Sequence, residues 1–217
     1  MTKNLTKIAI SLRIIYEDRY FEKRDGLSQE WPQFFSKLGA IPIYIPNKPD
    51  EVIKLLDEIG INGIIISGGE DIGTNIERDE TEIKLIEYGI NHNLPIFGVC
   101  RGMQMINHFF GGSIIKNASK LHSNQPHQIK LCKTISNNID TIISVNSFHN
   151  NQIFDKNLGE NLEIFAKTLF DNSIEGFFHK SHKIIGVMWH PEREQNETNL
   201  LILKKIFYEQ NFWNELL

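Results

Sequence analysis

A cysteine, a histidine and a glutamate lie in two short motifs that suit covalent catalysis. Cys100 is the third residue of G-V-C-R-G (98–102), between the apolar segment IFGV and a predicted helix. A residue in such a strand-to-helix turn projects above the sheet, as in the G-x-S-x-G nucleophile elbow. The N-terminus of the following helix favours a thiolate. The motif therefore suits a nucleophile, although a small buried cysteine in an ordinary turn would give the same pattern.

The second motif supplies a base and a group to orient it. His190 ends the apolar segment KIIGVMWH, and Glu192 follows two residues later, with Pro191 between them. In an extended segment, side chains two residues apart project to the same side. Glu192 can then hold one imidazole nitrogen while the other faces the thiol. A competing triad of Cys100, His149 and another carboxylate stays open, but the adjacent Glu192 favours His190.

The elements that must position these residues alternate in the first half of the chain. Short continuous apolar runs predict buried strands at 7–12, 41–46, 63–67 and 96–99. Helical spacing of apolar residues predicts helices at 28–38, 49–59, 79–92 and 103–110, the first capped by Ser28. This alternation predicts an α/β fold with a mostly parallel sheet covered by helices on both faces.

The second half changes character. QIKL, TIISVN, LEIFAKTL, IEGFFH and KIIGVMWH are typical of strands separated by polar turns, and they predict antiparallel hairpins appended to the parallel sheet. An amphipathic stretch at 197–214 predicts a closing helix. We expect a single domain over 1–217. Because ligands bind outside the carboxyl ends of parallel strands, the loops ISLR, SGGED and VCRG are the expected site.

Composition excludes several classes of function. The formal net charge of −4 gives no basic footprint for nucleic acid or anionic lipid. No apolar run approaches the length of a membrane helix. The N-terminal MTKNLTKIAISLR does not resemble a signal peptide, so we expect a cytoplasmic protein whose two cysteines are thiols.

Together, G-V-C-R-G-M-Q, the distant W-H-P-E and the upstream S-G-G-E-D resemble the class I glutamine amidotransferase superfamily, whose fold is flavodoxin-like. Four further motifs are similar to the γ-glutamyl-γ-aminobutyrate hydrolase branch of peptidase family C26: C-R-G-M-Q-M-I-N (100–107), G-G-S-I (111–114), V-N-S-F-H (145–149) and I-E-G-F (174–177). I-S-L-R, N-S-F-H-N and M-W-H-P-E-R-E are similar to the γ-glutamyl-CDP-amidate hydrolases, which are associated with phosphoramidate decoration of bacterial capsules.

The resemblance implies a triad of Cys100, His190 and Glu192 that cleaves a small γ-glutamyl amide through a thioester. It also implies an oxyanion hole made by the backbone N–H of Arg101 and one in the Gly68-Gly69 loop, for which we choose Gly69. It requires neither a cofactor nor a metal.

Further residues are candidates for substrate binding. Gln104 lies one helical turn after Cys100, and the family's matching glutamine helps to hold the glutamyl group. The family pattern places Asn146, Ser147 and His149 beside the active site. Arg13 could meet a carboxylate or a phosphate, or form a structural ion pair. Glu70 and Asp71 could pair with the substrate's ammonium group or be solvated loop carboxylates, and Glu175 is expected by the same edge of the sheet with its role open.

The remaining histidines and the second cysteine are expected to be inert. His122 and His127 lie in the loop KLHSNQPHQ and are expected to face solvent or at most the pocket rim. His179 and His182 are expected in a polar turn between two strands. Cys132 has no activating neighbour.

Three other functions stay open. The chain could release γ-aminobutyrate from its γ-glutamyl amide, or serve as the glutaminase subunit of an amidotransferase. It could also be a catalytically silent relative, against which the complete Cys-His-Glu set argues. The apolar FWNELL (212–217) suggests a contact surface for a homodimer.

Overall fold

The computed structural model describes residues 5–116, 122–132 and 141–212. Nine strands form one sheet in the order β4-β1-β5-β6-β11-β10-β9-β7-β8, and β2 and β3 form a separate hairpin. The strands are β1 (Lys7–Ser11), β2 (Arg13–Glu17), β3 (Glu22–Gly26), β4 (Ile41–Ile45), β5 (Gly63–Ile66), β6 (Ile96–Val99), β7 (His127–Leu131), β8 (Ile142–Val145), β9 (Leu162–Thr168), β10 (Ile174–His179) and β11 (Ile184–Val187). The helices are α1 (Glu30–Leu38), α2 (Val52–Ile59), α3 (Ile76–Asn91), α4 (Arg101–Phe109) and α5 (Glu197–Lys204).

The parallel half of the sheet is sandwiched between two apolar layers. Strands β4, β1, β5, β6 and β11 are mutually parallel. Ile65 and Phe97 pack with α1 and α5 on one face. Ile64 and Ile96 pack with α2, α3 and α4 on the other. Because both faces are covered, every residue of β5, β6 and β11 is buried, which explains why these strands are continuous apolar runs. The predicted α/β sheet is confirmed.

The antiparallel half of the sheet differs from the prediction at β11, where it joins the parallel half. Strands β10, β9, β7 and β8 are antiparallel, as expected. The segment expected to end this group, β11, is instead parallel to β6, with Val187 opposite Val99, and antiparallel to β10. A local apolar pattern specifies a strand but not its partner. The pairing matters for function, because it sets the turn after β11 beside the turn after β6.

The hairpin β2–β3 was not predicted. Its second strand, EKRDG, is exposed over its first four residues, so it lacks the alternation of a half-buried strand. Asp25 fixes the hairpin by accepting hydrogen bonds from the backbone N–H and the side-chain amide of Asn47. Arg13 is therefore the first residue of β2 rather than the end of a loop.

Two predicted helix ends differ from the structure. Helix α1 begins at Glu30 without a side-chain cap, because the Ser28 hydroxyl contacts the Glu30 carboxylate and not a backbone N–H. Helix α3 begins at Ile76, three residues earlier than predicted, and so includes Arg78.

The closing helix consists of α5 and a π-helical turn over Lys205–Glu209. The segment FWNELL (212–217) was expected to be a contact surface for a homodimer. Its first residue, Phe212, is fully buried and packs edge to face on Phe165. Residues 213–217 lie outside the described residues. Among the helices of residues 5–116, 122–132 and 141–212, none is long and apolar enough to cross a membrane.

Candidate active site

Cys100 occupies a strained turn between β6 and α4. Its backbone has φ 51° and ψ −106°, a conformation that non-glycine residues rarely adopt. Its N–H donates to the Val187 carbonyl at 2.8 Å, which holds the turn against β11. Helix α4 packs so closely on β5 that a Cβ at Gly102 would lie 1.9 Å from the Ile66 carbonyl oxygen. The glycine therefore permits the tight approach that a nucleophile elbow requires.

His190 and Glu192 lie in the turn after β11 and are buried beside Cys100. His190 Nδ1 is hydrogen-bonded to Glu192 Oε1 at 2.7 Å. Asn146 holds the His190 backbone from both sides: its Oδ1 accepts from the N–H at 2.9 Å and its Nδ2 donates to the carbonyl at 2.8 Å. The imidazole is thus fixed in orientation, with Nε2 left for the thiol.

The electrostatics of this pair favour an ion pair. Burial acts to raise the pKa of the Cys100 thiol, but the hydrogen-bonded His190 outweighs it and lowers that pKa. Burial acts in the opposite direction on His190, where Cys100 and Glu192 outweigh it and raise the pKa to about 10. Both shifts favour a thiolate facing an imidazolium, as in activated cysteine nucleophiles.

His149, the competing base, faces a different partner. Its Nδ1 is hydrogen-bonded to the Asn151 carbonyl at 2.9 Å, and its Nε2 lies 3.4 Å from Glu175 Oε1. It acts on Cys100 through its charge alone, whereas His190 also shares a hydrogen bond with the sulfur. The geometry favours His190 as the base.

The two backbone groups expected to bind an oxyanion both lie next to Cys100. The Arg101 N–H starts α4, is directed at the sulfur and contributes to lowering the thiol pKa. Gly69 lines the cleft beside Cys100 with φ 154°, a value that favours glycine. A Cβ there would also lie 2.2 Å from Arg78 Nη1.

Arg78 is the residue that fixes the Gly68-Gly69 peptide. Its guanidinium is fully buried, and its Nη2 donates to the carbonyls of Ser67 and Gly68, both at 3.0 Å. Its Nη1 donates to Glu70 at 2.6 Å and its Nε to Glu82 at 2.9 Å. Because the Gly68 carbonyl is held by Arg78, the N–H of the same trans peptide is directed away from the guanidinium.

The side chain of Arg101 belongs to this network and not to the cleft. It contacts the carboxylates of Asp79 and Glu82, and it is almost completely buried. Sequence reasoning missed Arg78, Asp79 and Glu82, although the four-residue spacing of Arg78 and Glu82 predicts an ion pair on a helix.

The cleft consists of two chambers that meet at Cys100, Gly69 and Phe148. The first chamber is lined further by Arg13, Leu27, Ser28, Trp31, Gly68, His190, Glu192 and Arg193. The second chamber is lined further by Asp71, Arg101, Gln104, His149, Asn150 and Asn151. The first chamber therefore contains two arginines, Arg13 and Arg193, beside His190 and Glu192, and the second contains amide side chains with Asp71 and His149.

Arg13 and Gln104, both predicted to bind substrate, lie in different chambers. Arg13 forms no ion pair with any carboxylate in the described part of the chain. Gln104 accepts a hydrogen bond from Asn151 at 3.4 Å in the second chamber. Arg193, which lies in the same M-W-H-P-E-R-E motif as His190, stacks its guanidinium 4.1 Å from the centre of the Phe148 ring.

Asn146 and Ser147 line neither chamber. Asn146 grips the His190 backbone, and the buried Ser147 hydroxyl donates to the His122 carbonyl. Of the acids with open roles, Glu70 pairs with Arg78. Asp71 accepts from Asn151 at 2.8 Å and stays exposed in the second chamber. Asn146, Ser147 and Glu70 thus hold other parts of the site in place, whereas Asp71 is accessible to a ligand.

His122 and His127 are not solvent-facing, so that prediction was wrong. Both are buried with Glu175, because the loop before β7 folds inward against β10. His182 lies in the turn between β10 and β11, but His179 is the buried last residue of β10, and its Nδ1 accepts from the backbone N–H groups of Ser181 and His182. Cys132 is exposed after β7.

Comparison with known proteins agrees with these features. The Peptidase C26 family model matches residues 8–192. The chain is 36% identical to the γ-glutamyl-CDP-amidate hydrolase of Campylobacter jejuni, over 92% of this chain and 96% of the relative. It is 31% identical to anthranilate synthase component 2 of Cyanophora paradoxa, over 88% of this chain and 94% of that relative.

A solved structure has the same fold. A putative GMP synthase protein from Thermoplasma acidophilum superimposes with a TM-score of 0.70 at 23% identity, covering 99% of this chain and 95% of that one. The prediction of a cysteine-dependent γ-glutamyl amide hydrolase is confirmed at the level of the family. The chain belongs to the Peptidase C26 family.

Proposed function

We propose that the chain hydrolyses the γ-glutamyl amide bond of a nucleotide conjugate, γ-glutamyl-CDP-amidate, to glutamate and cytidine diphosphoramidate. The observation that carries this proposal is the position of Cys100 where two unlike chambers meet. A γ-glutamyl amide also has two unlike ends, joined at the carbonyl carbon that the nucleophile attacks.

The second chamber suits the glutamyl end. Asp71 can pair with its ammonium group, and Gln104 and Asn151 can donate to its carboxylate. Both chambers share Gly69, so the γ-carbonyl oxygen can lie between its N–H and that of Arg101.

The first chamber suits the leaving group. It holds His190, the one group that can protonate a departing nitrogen, and two arginines, Arg13 and Arg193. Arginine binds phosphate oxygens through paired N–H groups. A diphosphate can use both arginines, whereas γ-aminobutyrate offers one carboxylate and glutamine offers none.

The proposed reaction has two steps. The Cys100 thiolate attacks the γ-carbonyl carbon, the C–N bond breaks, and His190 gives its proton to the leaving nitrogen. Neutral His190 then takes a proton from water, whose oxygen attacks the thioester and releases glutamate while the thiolate re-forms. Glu192 holds the imidazole in the same orientation throughout, and Arg78 keeps the Gly68-Gly69 peptide in place.

The name of the Campylobacter jejuni relative supports the substrate. We propose that the free amidate supplies phosphoramidate for a capsule polysaccharide, and that the reaction takes place in the cytoplasm, where nucleotide conjugates are made.

Glutamate release from γ-glutamyl-CDP-amidate, γ-glutamyl-γ-aminobutyrate and glutamine tests the proposal. We expect the nucleotide conjugate to give the highest kcat/KM, with all release lost in Cys100→Ala and retained in Cys132→Ala. Preference for γ-glutamyl-γ-aminobutyrate would keep the chemistry and reject the nucleotide. Turnover of glutamine alone, dependent on a partner synthase, would assign the chain as a glutaminase subunit.

A further inference from the structure

A second group of buried polar side chains lies behind His149, outside both chambers. His122 precedes β7, His127 begins it, and Glu175 lies on β10. One ligand atom of each lies within 4.8 Å of the others. All three residues are at least nine-tenths buried, since His122 and Glu175 are fully covered and His127 is 9% exposed.

The distances in this group are longer than those of strong, charge-assisted hydrogen bonds. Glu175 Oε1 lies 3.8 Å from His122 Nδ1 and 3.5 Å from His127 Nε2. A charge-assisted hydrogen bond would be about 2.7–2.9 Å. Ligand atoms at about 2.1 Å from a tetrahedral metal ion are about 3.4 Å apart. The spacing is thus closer to the edge of a coordination shell than to an ion pair.

The facing atoms also lack partners. His122 Nδ1, His127 Nε2 and both Glu175 carboxylate oxygens are buried and accept or donate no hydrogen bond among the described residues. Such atoms are rare in native proteins, because a buried polar atom without a partner is destabilising. A shared cation would satisfy His122 Nδ1, His127 Nε2 and one Glu175 oxygen, while His127 Nδ1 and the other Glu175 oxygen would stay without a partner among the described residues.

The outer nitrogen of His122 is oriented as a metal ligand requires. Its Nε2 lies 2.9 Å from Asp171 Oδ2, and Asp171 also accepts from the Ser173 N–H at 2.9 Å. Gln152 Nε2 lies 2.6 Å from the same His122 nitrogen and donates to the same Asp171 oxygen. The His122 tautomer with its proton on Nε2 donates to Asp171 and leaves the Nδ1 lone pair facing Glu175. A carboxylate behind a histidine is typical of metal-bound imidazoles.

His149 offers a fourth ligand with the same arrangement. Its Nδ1 donates to the Asn151 carbonyl, and its Nε2 lies 3.4 Å from Glu175 Oε1. The His149 side chain lines the second chamber, so the cluster lies directly behind the wall of the cleft.

We propose that His122, His127 and Glu175 bind one Zn²⁺ ion, with His149 as the fourth ligand. Imidazole nitrogen and carboxylate oxygen are ligands that Zn²⁺ accepts in tetrahedral sites. The ion would join the loop before β7, β10 and the 146–149 segment. Ser147 already donates to the His122 carbonyl, and Asn146 holds His190. The site would therefore stiffen the segment that positions the proposed base.

Metal analysis of the wild-type protein tests this proposal without relying on any variant. The protein is stripped with a chelator, reloaded with Zn²⁺, freed of excess metal and analysed for zinc per chain. We expect about one zinc per chain and a higher Tm for the zinc-loaded protein. X-ray absorption should find only nitrogen and oxygen neighbours. Zinc content near zero, or a sulfur neighbour at about 2.3 Å from binding at Cys100, would overturn the proposal.

Variants then locate the ion. His127→Ala and Glu175→Gln should lose the zinc and the rise in Tm that zinc causes. His108→Ala, which alters an exposed histidine on α4, and Cys100→Ala should keep both. Zinc retained in a folded His127→Ala protein, or lost in Cys100→Ala, would contradict this assignment.

Discussion

The two chambers beside Cys100 differ in what they hold fixed and what they leave available. In the first, Arg13 and Arg193 make no ion pair with a described carboxylate, and Arg193 stacks on Phe148. In the second, the polar groups already bond one another, as Asn151 does with Asp71 and Gln104. The second chamber is thus preorganised for one small group, while the first presents open cations. We infer that the glutamyl side is the constant part of the site and the arginine side selects the leaving group.

Loss of the Cys100 thiol should abolish activity towards every substrate, whichever chamber its leaving group would occupy. Cys100→Ala is expected to lower kcat by at least about 10⁴-fold for every substrate, because no other described side chain can form the thioester. Steady-state kinetics with Cys132→Ala as the matched control measures this. Residual activity with an unchanged substrate order would contradict a cysteine mechanism.

The orienting carboxylate should also act equally on all substrates. Glu192→Gln is expected to lower kcat by about 10³- to 10⁴-fold. Glu192 helps to raise the pKa of His190 to about 10, so the imidazolium is present below that pH and lost above it. The alkaline limb of kcat/KM should therefore lie near pH 10 in the wild type and move to lower pH in the variant. An unmoved limb would mean that Glu192 does not act through His190.

Arg78→Lys separates thiol activation from oxyanion binding. Lysine keeps the charge but cannot hold Glu82, Glu70 and the Gly68 carbonyl together. We expect kcat to fall by about 10²-fold with KM nearly unchanged, as when one oxyanion donor is misplaced. The rate of Cys100 alkylation should not change, since the thiolate does not use that peptide. Arg24→Lys on the exposed β3 is the matched control, and slower alkylation in Arg78→Lys would point to a general disruption.

Arg193→Gln should affect the nucleotide conjugate but not glutamine, and so tests the role of the first chamber. It is expected to lower kcat/KM for γ-glutamyl-CDP-amidate by about 10- to 100-fold, the value of a hydrogen bond between charged groups. Glutamine, which has no phosphate, should be unaffected. Arg24→Gln is the control, and an equal loss for both substrates would reject the assignment of the first chamber.

The smallest effect should come from a substitution in the second chamber. Asp71→Asn is expected to raise KM by about 10-fold, and equally for all three substrates, because they share the glutamyl ammonium. Parallel KM measurements test this. A rise in KM confined to the nucleotide conjugate would place the leaving group, and not the glutamyl group, in the second chamber.

Much of the parallel half of the fold, and the close approach of Cys100, His190 and Glu192, could be predicted from the sequence. Strands buried on both faces are continuous apolar runs, so β5 and β6 are visible in GIII and IFGV. Cys100 and His190 are recognisable because chemistry restricts the residue types around them. The order of strands is a different matter, since the parallel pairing of β11 with β6 depends on the whole chain.

The parts that escaped prediction are buried polar groups. His122 and His127 lie in a segment without periodicity, so nothing local indicates that they turn inward. Arg78 was missed because the predicted helix began one residue after it. Arg78 matters because it donates to the carbonyls of Ser67 and Gly68. Those carbonyls come within its reach only through the packing of α3 on β5.

The most direct test of the account is a rapid-quench experiment with γ-glutamyl-CDP-amidate followed by peptide mapping. The account predicts a burst of cytidine diphosphoramidate up to about one equivalent, together with a glutamyl thioester on the peptide that contains Cys100. The burst should be absent in Cys100→Ala and unchanged in Cys132→Ala. Release of glutamate and nucleotide at the same rate in the wild type, with no acyl group on Cys100 even in Glu192→Gln, would contradict it.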